Sequence, residues 1–252
     1  MKRLFKVTMF FLVLLFSVAC NNYNNEQMRM VSADYNNSIR NSAVNKKDEN
    51  ILKANVLIVN DCYSSIFGIK YRSSHNYGSG VIVKEDRKYL YVLTNNHVVA
   101  NTYNYFNQNI IIEDYFSNKY EGEIVRSNIN CDLALIRFKK QANLSVLKVS
   151  DEAALVRENI ISMGNPNSVK NVLSEGAIDC YTYVSISNEN SNVDFEVIMH
   201  DAEIDNGSSG GALLNNNNEI VGLTFAGVFD NEGNFITGYA IPSSKIIEFL
   251  NN

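Results

Sequence analysis

Tryptophan is absent from this chain of 252 residues, histidine occurs three times and cysteine four times. Each scarcity narrows the chemistry available. His75, His97 and His200 are the whole supply of imidazole bases for work near neutral pH. Cys20, Cys62, Cys131 and Cys180 form no Cys/His cluster with zinc spacing, so neither a metal nor a cofactor is expected. If Cys20 is consumed by processing, three cysteines remain, an odd number that completes no disulfide framework. Cys131 lies in a strand-like run and reads as a small buried apolar residue. Positive charge is also short. Lys and Arg number 22 against 27 Asp and Glu, for a net charge of −5, and without a basic patch no nucleic-acid partner is expected. Asparagine is abundant, which reads as coding bias. The apolar fraction of 46% and charged fraction of 19% are those of an ordinary globular protein, and the length suits one domain or two small ones.

Only one long apolar run is present. Lys2 and Arg3 precede Leu4–Val18, and Ser17-Val18-Ala19 places small residues before Cys20. Residues 1–20 therefore read as an export signal, too short and wrongly flanked for a stable membrane span. A cysteine directly after the small residues is similar to a bacterial lipobox, although Ser17 stands where Leu is usual. Two outcomes stay open: lipidation of Cys20, which anchors the chain at the outer face of the cell membrane, or simple secretion. Residues 21–50 are rich in Asn, Ser, Lys and Glu and poor in apolar side chains. They bury too little to offset their ordering entropy and read as a flexible tether.

From residue 51 to 252 the pattern changes to short β-branched and aromatic segments separated by Asn, Gly, Asp and Ser. Strands are expected at residues 54–60, 65–71, 80–84, 89–95, 108–113, 120–128, 133–138, 159–163, 172–183, 196–201, 211–214, 220–229 and 235–240. Helical patterning is confined to residues 243–250 and a turn at 97–101. The fold class is all-β, a sandwich or a barrel.

Three stretches carry chemistry. Gly207-Ser-Ser-Gly-Gly211 is followed at once by an apolar run. A serine hydroxyl is a weak nucleophile that needs a base beside it and donors aimed at the oxyanion it creates, and flanking glycines let the backbone supply those donors. Thr94-Asn-Asn-His-Val-Val99 offers the base, and Cys131-Asp-Leu-Ala-Leu-Ile136 a carboxylate at the mouth of a buried strand. The set is His97, Asp132 and Ser209.

With Gly78-Ser-Gly-Val81, Met163-Gly-Asn-Pro166 and Tyr239-Ala-Ile-Pro242, these stretches resemble the trypsin-fold serine proteases, most closely the bacterial HtrA (Deg) branch. They fall in family order over residues 54–250. The resemblance implies two six-stranded antiparallel β-barrels, at about residues 51–145 and 146–242, with a C-terminal helix over 243–250 and a cleft between the barrels. It implies a catalytic triad of His97, Asp132 and Ser209, and an oxyanion hole from the backbone of Gly207 and Ser209 with Ser208 nearby. It also implies a substrate-pairing strand at Thr224, Phe225 and Ala226. Glu203 falls at the base of the primary pocket by register. Either its carboxylate selects basic residues, or Ile204 lines an apolar pocket instead. Ser208 stands where the family has Asn or Asp, so activation by a freed N-terminus has no acidic partner here. HtrA relatives carry PDZ domains after the protease domain, whereas this chain ends directly after the last helix; oligomeric state is left open.

The expected activity is hydrolysis of proteins or peptides by an acyl-enzyme route. The alternative is an inactive protease fold serving as a binding or adhesion lipoprotein. An esterase is disfavoured, since its usual order Ser…Asp…His and its Gly-x-Ser-x-Gly elbow are both absent.

Overall fold

The computed structural model describes residues 46–101 and 105–252. The expected export signal with Cys20, and the expected tether as far as residue 45, lie outside the described residues.

A short helix, α1 (Lys46–Leu52), opens the described chain. It corrects the tether reading over residues 46–50, because Ile51 and Leu52 are buried and fix its end against the first barrel. The strands follow as β1 (Asn55–Ile66), β2 (Ile69–Glu85), β3 (Tyr89–Thr94), β4 (Asn107–Glu113), β5 (Lys119–Asn128) and β6 (Leu133–Lys139), with a one-turn helix α2 (Asn96–Val99) after β3. They close into a barrel in the order β1-β2-β3-β6-β5-β4. The second barrel uses β7 (Asn159–Gly164), β8 (Val172–Ser187), β9 (Asn192–His200), β10 (Ala212–Leu214), β11 (Ile220–Phe229) and β12 (Phe235–Pro242). Its order is β10-β11-β12-β9-β8-β7. Helix α3 (Ser243–Asn251) ends the fold. Every ladder within the barrels is antiparallel.

The expected pair of six-stranded barrels is the architecture that forms. Period-two alternation sends Val56, Ile58, Val92, Ile112, Ile136 and Phe138 into the first interior, and Ile160, Ile178, Ile198, Leu213, Val221 and Ala240 into the second. Apart from Ala240, each such side chain contributes roughly 1.5–3 kcal/mol by leaving water. One strand expectation fails. Residues 65–71 are no separate strand: Phe67 and Gly68, at φ 49° and 79°, make a turn in the middle of that stretch. Two residues with positive φ match the twist of a hairpin, so β1 and β2 form one long hairpin with Ile66 opposite Ile69.

The barrels are joined by buried polar contacts centred on Asn165, which is fully buried just after β7. Its amide nitrogen donates to the carbonyl of Val56 at 2.8 Å, and its side-chain oxygen accepts from Asn55 at 2.8 Å. Its backbone N–H donates to Ser79 Oγ at 2.7 Å. At the far end Arg126 of β5 donates to the carbonyl of Phe249 in the last turn of α3, and its guanidinium lies 4.5 Å from the Phe249 ring centre. A cation suits that end of a helix.

Replacing Asn165 with Leu leaves Asn55 and the Val56 carbonyl short of partners inside the protein, while the backbone N–H still reaches Ser79. The expected loss is about 2–4 kcal/mol of unfolding free energy, read as a lower urea midpoint at unchanged slope.

Candidate active site

The first barrel supplies an imidazole and a carboxylate. Asn95 follows β3 and caps α2, where His97 sits and where backbone geometry is fixed by Asn60. That side chain is fully buried and donates to the carbonyls of Val98 and Ala100 at 3.0 and 2.9 Å, satisfying the end of the helix. Asp132, fully buried, precedes β6 with φ 50°, an uncommon conformation outside glycine. Its carbonyl accepts from the Asn96 N–H at 3.1 Å and the Asn95 amide at 2.9 Å. Thus held, its carboxylate takes two bonds from one residue: the His97 N–H on Oδ1 at 2.9 Å and His97 Nδ1 on Oδ2 at 2.7 Å. With no other acceptor at that ring nitrogen, the carboxylate selects the Nδ1–H tautomer and leaves Nε2 with its lone pair.

The second barrel supplies Ser209 in the turn between Ala202 and β10. The backbone groups around Ser209 show what this turn does. The carbonyl of Asn206 accepts from the Asn167 N–H at 2.5 Å, and that of Gly207 from Ser79 Oγ at 2.7 Å. The carbonyl of Ser208 accepts from the Gly211 N–H at 2.9 Å, and that of Ser209 from the Ser79 N–H at 2.8 Å. Among the amides, Ser208 donates to Asp205, Gly210 to Thr224 and Gly211 to Ser208. Among the described residues, the amides of Gly207 and Ser209 have no acceptor. A trans peptide points its N–H opposite to its C=O, so pinning the Asn206 carbonyl on Asn167 turns the Gly207 N–H to the other side. Two glycines permit the turn. A Cβ at Gly207 (φ 92°) would lie 2.9 Å from the Asn165 carbonyl, and one at Gly210 (φ 84°) 2.2 Å from the Ser79 carbonyl. The Ser209 hydroxyl itself donates to the Phe225 carbonyl at 3.4 Å, a long bond that rotation about χ1 breaks at little cost.

Ser208 is buried and closes the turn with Asp205: its Oγ accepts the Asp205 N–H at 3.1 Å. Asp205 in turn accepts from Asn167 Nδ2 at 2.6 Å. Ser79, Asn165, Asn167 and Asp205 are not among the site residues that the sequence singles out. Ser79 and Asn165 lie inside the motifs Gly78-Ser-Gly-Val81 and Met163-Gly-Asn-Pro166, but only the fold shows that those motifs meet at the serine turn.

The two pocket candidates separate clearly. Glu203 is exposed, whereas Ile204 is buried. A Cβ at Gly227 would meet Ile204 Cδ1 at 3.1 Å, so the isoleucine occupies the space beside that glycine. Thr224 and Phe225 are buried and Ala226 half-buried in β11, next to Ser209. Cys62, Cys131 and Cys180 are unpaired thiols, and burial pushes those of Cys62 and Cys131 up.

With this geometry in view, comparison with known proteins is direct. The profile of the trypsin-like peptidase domain matches residues 78–223. A probable periplasmic serine endoprotease DegP-like of Buchnera aphidicola subsp. Schizaphis graminum is 33% identical over 173 residues, covering 68% of this chain and 34% of that protein. The periplasmic serine endoprotease DegP of Escherichia coli K12 is 34% identical over 172 residues, covering 67% of this chain and 34% of its own length. The periplasmic pH-dependent serine endoprotease DegQ of the same strain is 30% identical over 168 residues, 66% of this chain and 35% of that one. The chain belongs to the trypsin-like peptidase family, and it matches about one third of the length of these relatives.

The other histidines stand apart from this cluster. His75 is exposed and contacts Asp61 at 3.3 Å. His200 is fully buried at the end of β9, with its ring against Gly238 and neither nitrogen in a well-aligned hydrogen bond. Burial lowers its pKa from 6.5 to about 4, partly offset by the Ala202 backbone and the charge of Asp201. Between those values the unfolded chain binds the extra proton, so the stabilisation is whole above pH 6.5 and is lost as pH falls to about 4. The expected loss is up to about 3 kcal/mol in urea titrations over that window, and His200→Phe should remove this component of the slope.

Proposed function

We propose that this chain is an exported serine endopeptidase in which Ser209 is the nucleophile, His97 the general base and Asp132 the group that orients the imidazole. Ser209 Oγ attacks the scissile carbonyl while Nε2 of His97 takes its proton. The imidazolium then protonates the leaving amine, and water hydrolyses the acyl-enzyme by the same route. The amides of Gly207 and Ser209 stabilise the oxyanion, a task worth roughly 10²–10³ in rate per donor. The observation that carries this reading is the pair of acceptor-less amides, presented by a turn in which the carbonyls from Asn206 to Ser209 are already held. An inactive binding protein on this fold would not need that arrangement together with an intact Asp132–His97 pair.

Substrate residues before the scissile bond would add a strand along Thr224–Ala226. The primary pocket is read as apolar, lined by Ile204, with Glu203 outside it. The relatives named as periplasmic support export, and Cys20 is the proposed lipid anchor on the outer face of the membrane.

A fluorophosphonate probe should label the wild-type protein and neither Ser209→Ala nor His97→Ala. Turnover of a protein substrate should fall by about 10⁴ or more in Ser209→Ala, with an unchanged melting temperature. Full labelling of Ser209→Ala would refute the assignment. For the anchor, the wild type should incorporate labelled palmitate and partition into detergent, and Cys20→Ser should do neither.

A further inference from the structure

The hairpin of β1 and β2 ends in side chains that neither the core nor the turn uses. β4 pairs with β1 only as far as Tyr63, and β3 reaches β2 only at Val81. Among the described residues, therefore, no strand flanks the stretch from Ser64 to Arg72. At its apex Phe67 is 100% accessible. Its φ of 49° is uncommon for a bulky residue, and a two-residue turn with positive φ is ordinarily made by Asn-Gly or Asp-Gly. Ile66 and Ile69, paired opposite each other behind the apex, are 57% and 73% accessible, and Tyr71 is 56%. Phe106, 74% accessible, is held beside the hairpin by its N–H on Ser64 Oγ at 3.3 Å. Single exposed apolar residues are ordinary, but a group of them on one projection marks a contact surface.

Charge selects the partner. The chain as a whole carries −5, yet residues 62–84 contain no Asp or Glu, and neither do residues 98–112. Behind the apex stand Lys70, opposite Ser65, and Arg72, opposite Ser64. Lys70 Nζ lies 3.9 Å from the Tyr63 ring centre and 3.2 Å from Asp61, the carboxylate that shares its charge. The Arg72 guanidinium lies 4.6 Å from the Tyr105 ring centre. Both cations are thus held along the hairpin, about 10 Å or more behind Phe67 at roughly 3.3 Å per residue. An apolar end buried by about 5–10 Å in a bilayer surface places them at the headgroups. A fluid bilayer also receives a convex wedge without a matching pocket, which a folded partner would have to provide. We propose that the tip of this hairpin, Ile66 to Tyr71 with Phe106, dips into a lipid bilayer that carries anionic headgroups. The apolar side chains enter the acyl boundary, and Lys70 and Arg72 contact headgroup phosphates. The inference stands apart from the chemistry at Ser209 and from lipidation of Cys20.

The test uses the full chain with Cys20→Ser, so that no acyl chain contributes. Tryptophan is absent from the sequence, so Phe67→Trp is a reporter of one site. With vesicles of phosphatidylglycerol and phosphatidylcholine its emission should shift to the blue and be quenched by lipids brominated on the acyl chains. Tyr183→Trp, at an exposed position of β8 in the second barrel, should do neither. In co-sedimentation, Phe67→Ser/Ile69→Ser should lower the partition onto these vesicles about tenfold or more, with an unchanged melting temperature. Both chains share residues 1–45, so the difference belongs to the hairpin. Lys70→Gln/Arg72→Gln, or added salt, should lower the partition as well. Unchanged emission of Phe67→Trp on adding vesicles overturns the proposal. Equal binding to phosphatidylcholine alone overturns it too, because the anionic surface then plays no part. Loss of self-association in Phe67→Ser/Ile69→Ser, with vesicle binding unchanged, assigns the tip to a second copy of this chain and likewise overturns it.

Discussion

The arrangement depends on one buried amide. The base and the nucleophile sit on different barrels, an apolar cluster runs through both, and apolar contact alone is non-directional. Asn165 supplies direction. Its side chain is tied to Asn55 and Val56 in β1, its N–H to Ser79 in β2, and its own position is set by β7. Ser79 then passes the constraint on, since its hydroxyl holds the Gly207 carbonyl and its amide the Ser209 carbonyl. Two residues thus link the frame of the first barrel to the turn of the second. A satisfied buried network of this kind specifies one geometry, because any displacement leaves desolvated polar atoms without partners.

That rigidity is what permits strain at the site. Asp132 is held in a positive-φ conformation and Gly207 and Gly210 in turns that no side chain fits. Such residues cost of order 1–3 kcal/mol each outside glycine and persist only where the surroundings over-determine them. The carbonyls of Asn206, Gly207, Ser208 and Ser209 are all engaged, so the two free amides have no easy route to rearrange. Readiness of the turn is therefore a property of its second layer of contacts: Asn167 on Asn206 and on Asp205, and Ser208 closing back on Asp205.

Asparagine has more work than its reading as coding bias allowed. Asn60 satisfies the carbonyls around α2, Asn95 and Asn165 lie fully buried, and Asn96 donates to the Asn190 carbonyl at 2.7 Å, joining α2 to the β8–β9 hairpin. A planar amide carries donors and an acceptor without charge, so it can bridge backbone groups in the interior without the desolvation cost of an ion. Position, not composition, decides which asparagines become structure.

Much was legible in the chain itself. Alternation of apolar residues fixed the strands, because burial on one face of a sheet has a period of two. The glycine-flanked Ser209, the lone family-like His97 and the Asp132 ahead of an apolar run were visible because turns and buried strand starts leave local marks. What could not be read locally was long-range. The continuation of β1 through Ser64 into one long hairpin with β2 depended on a Phe-Gly turn with no Asn or Asp to announce it. The exposure of Glu203 and burial of Ile204, adjacent in sequence, were decided by which of the two the sheet at Gly227 could receive. The meeting of Ser79, Asn165 and Gly207 is separated by up to 128 positions, and only closure of both barrels brings it about. Sequence by itself determined the class of chemistry and the elements that bear it. Tertiary structure decided the direction of each backbone carbonyl around Ser209, because a peptide's orientation is set by the partner it finds and not by the residue it belongs to.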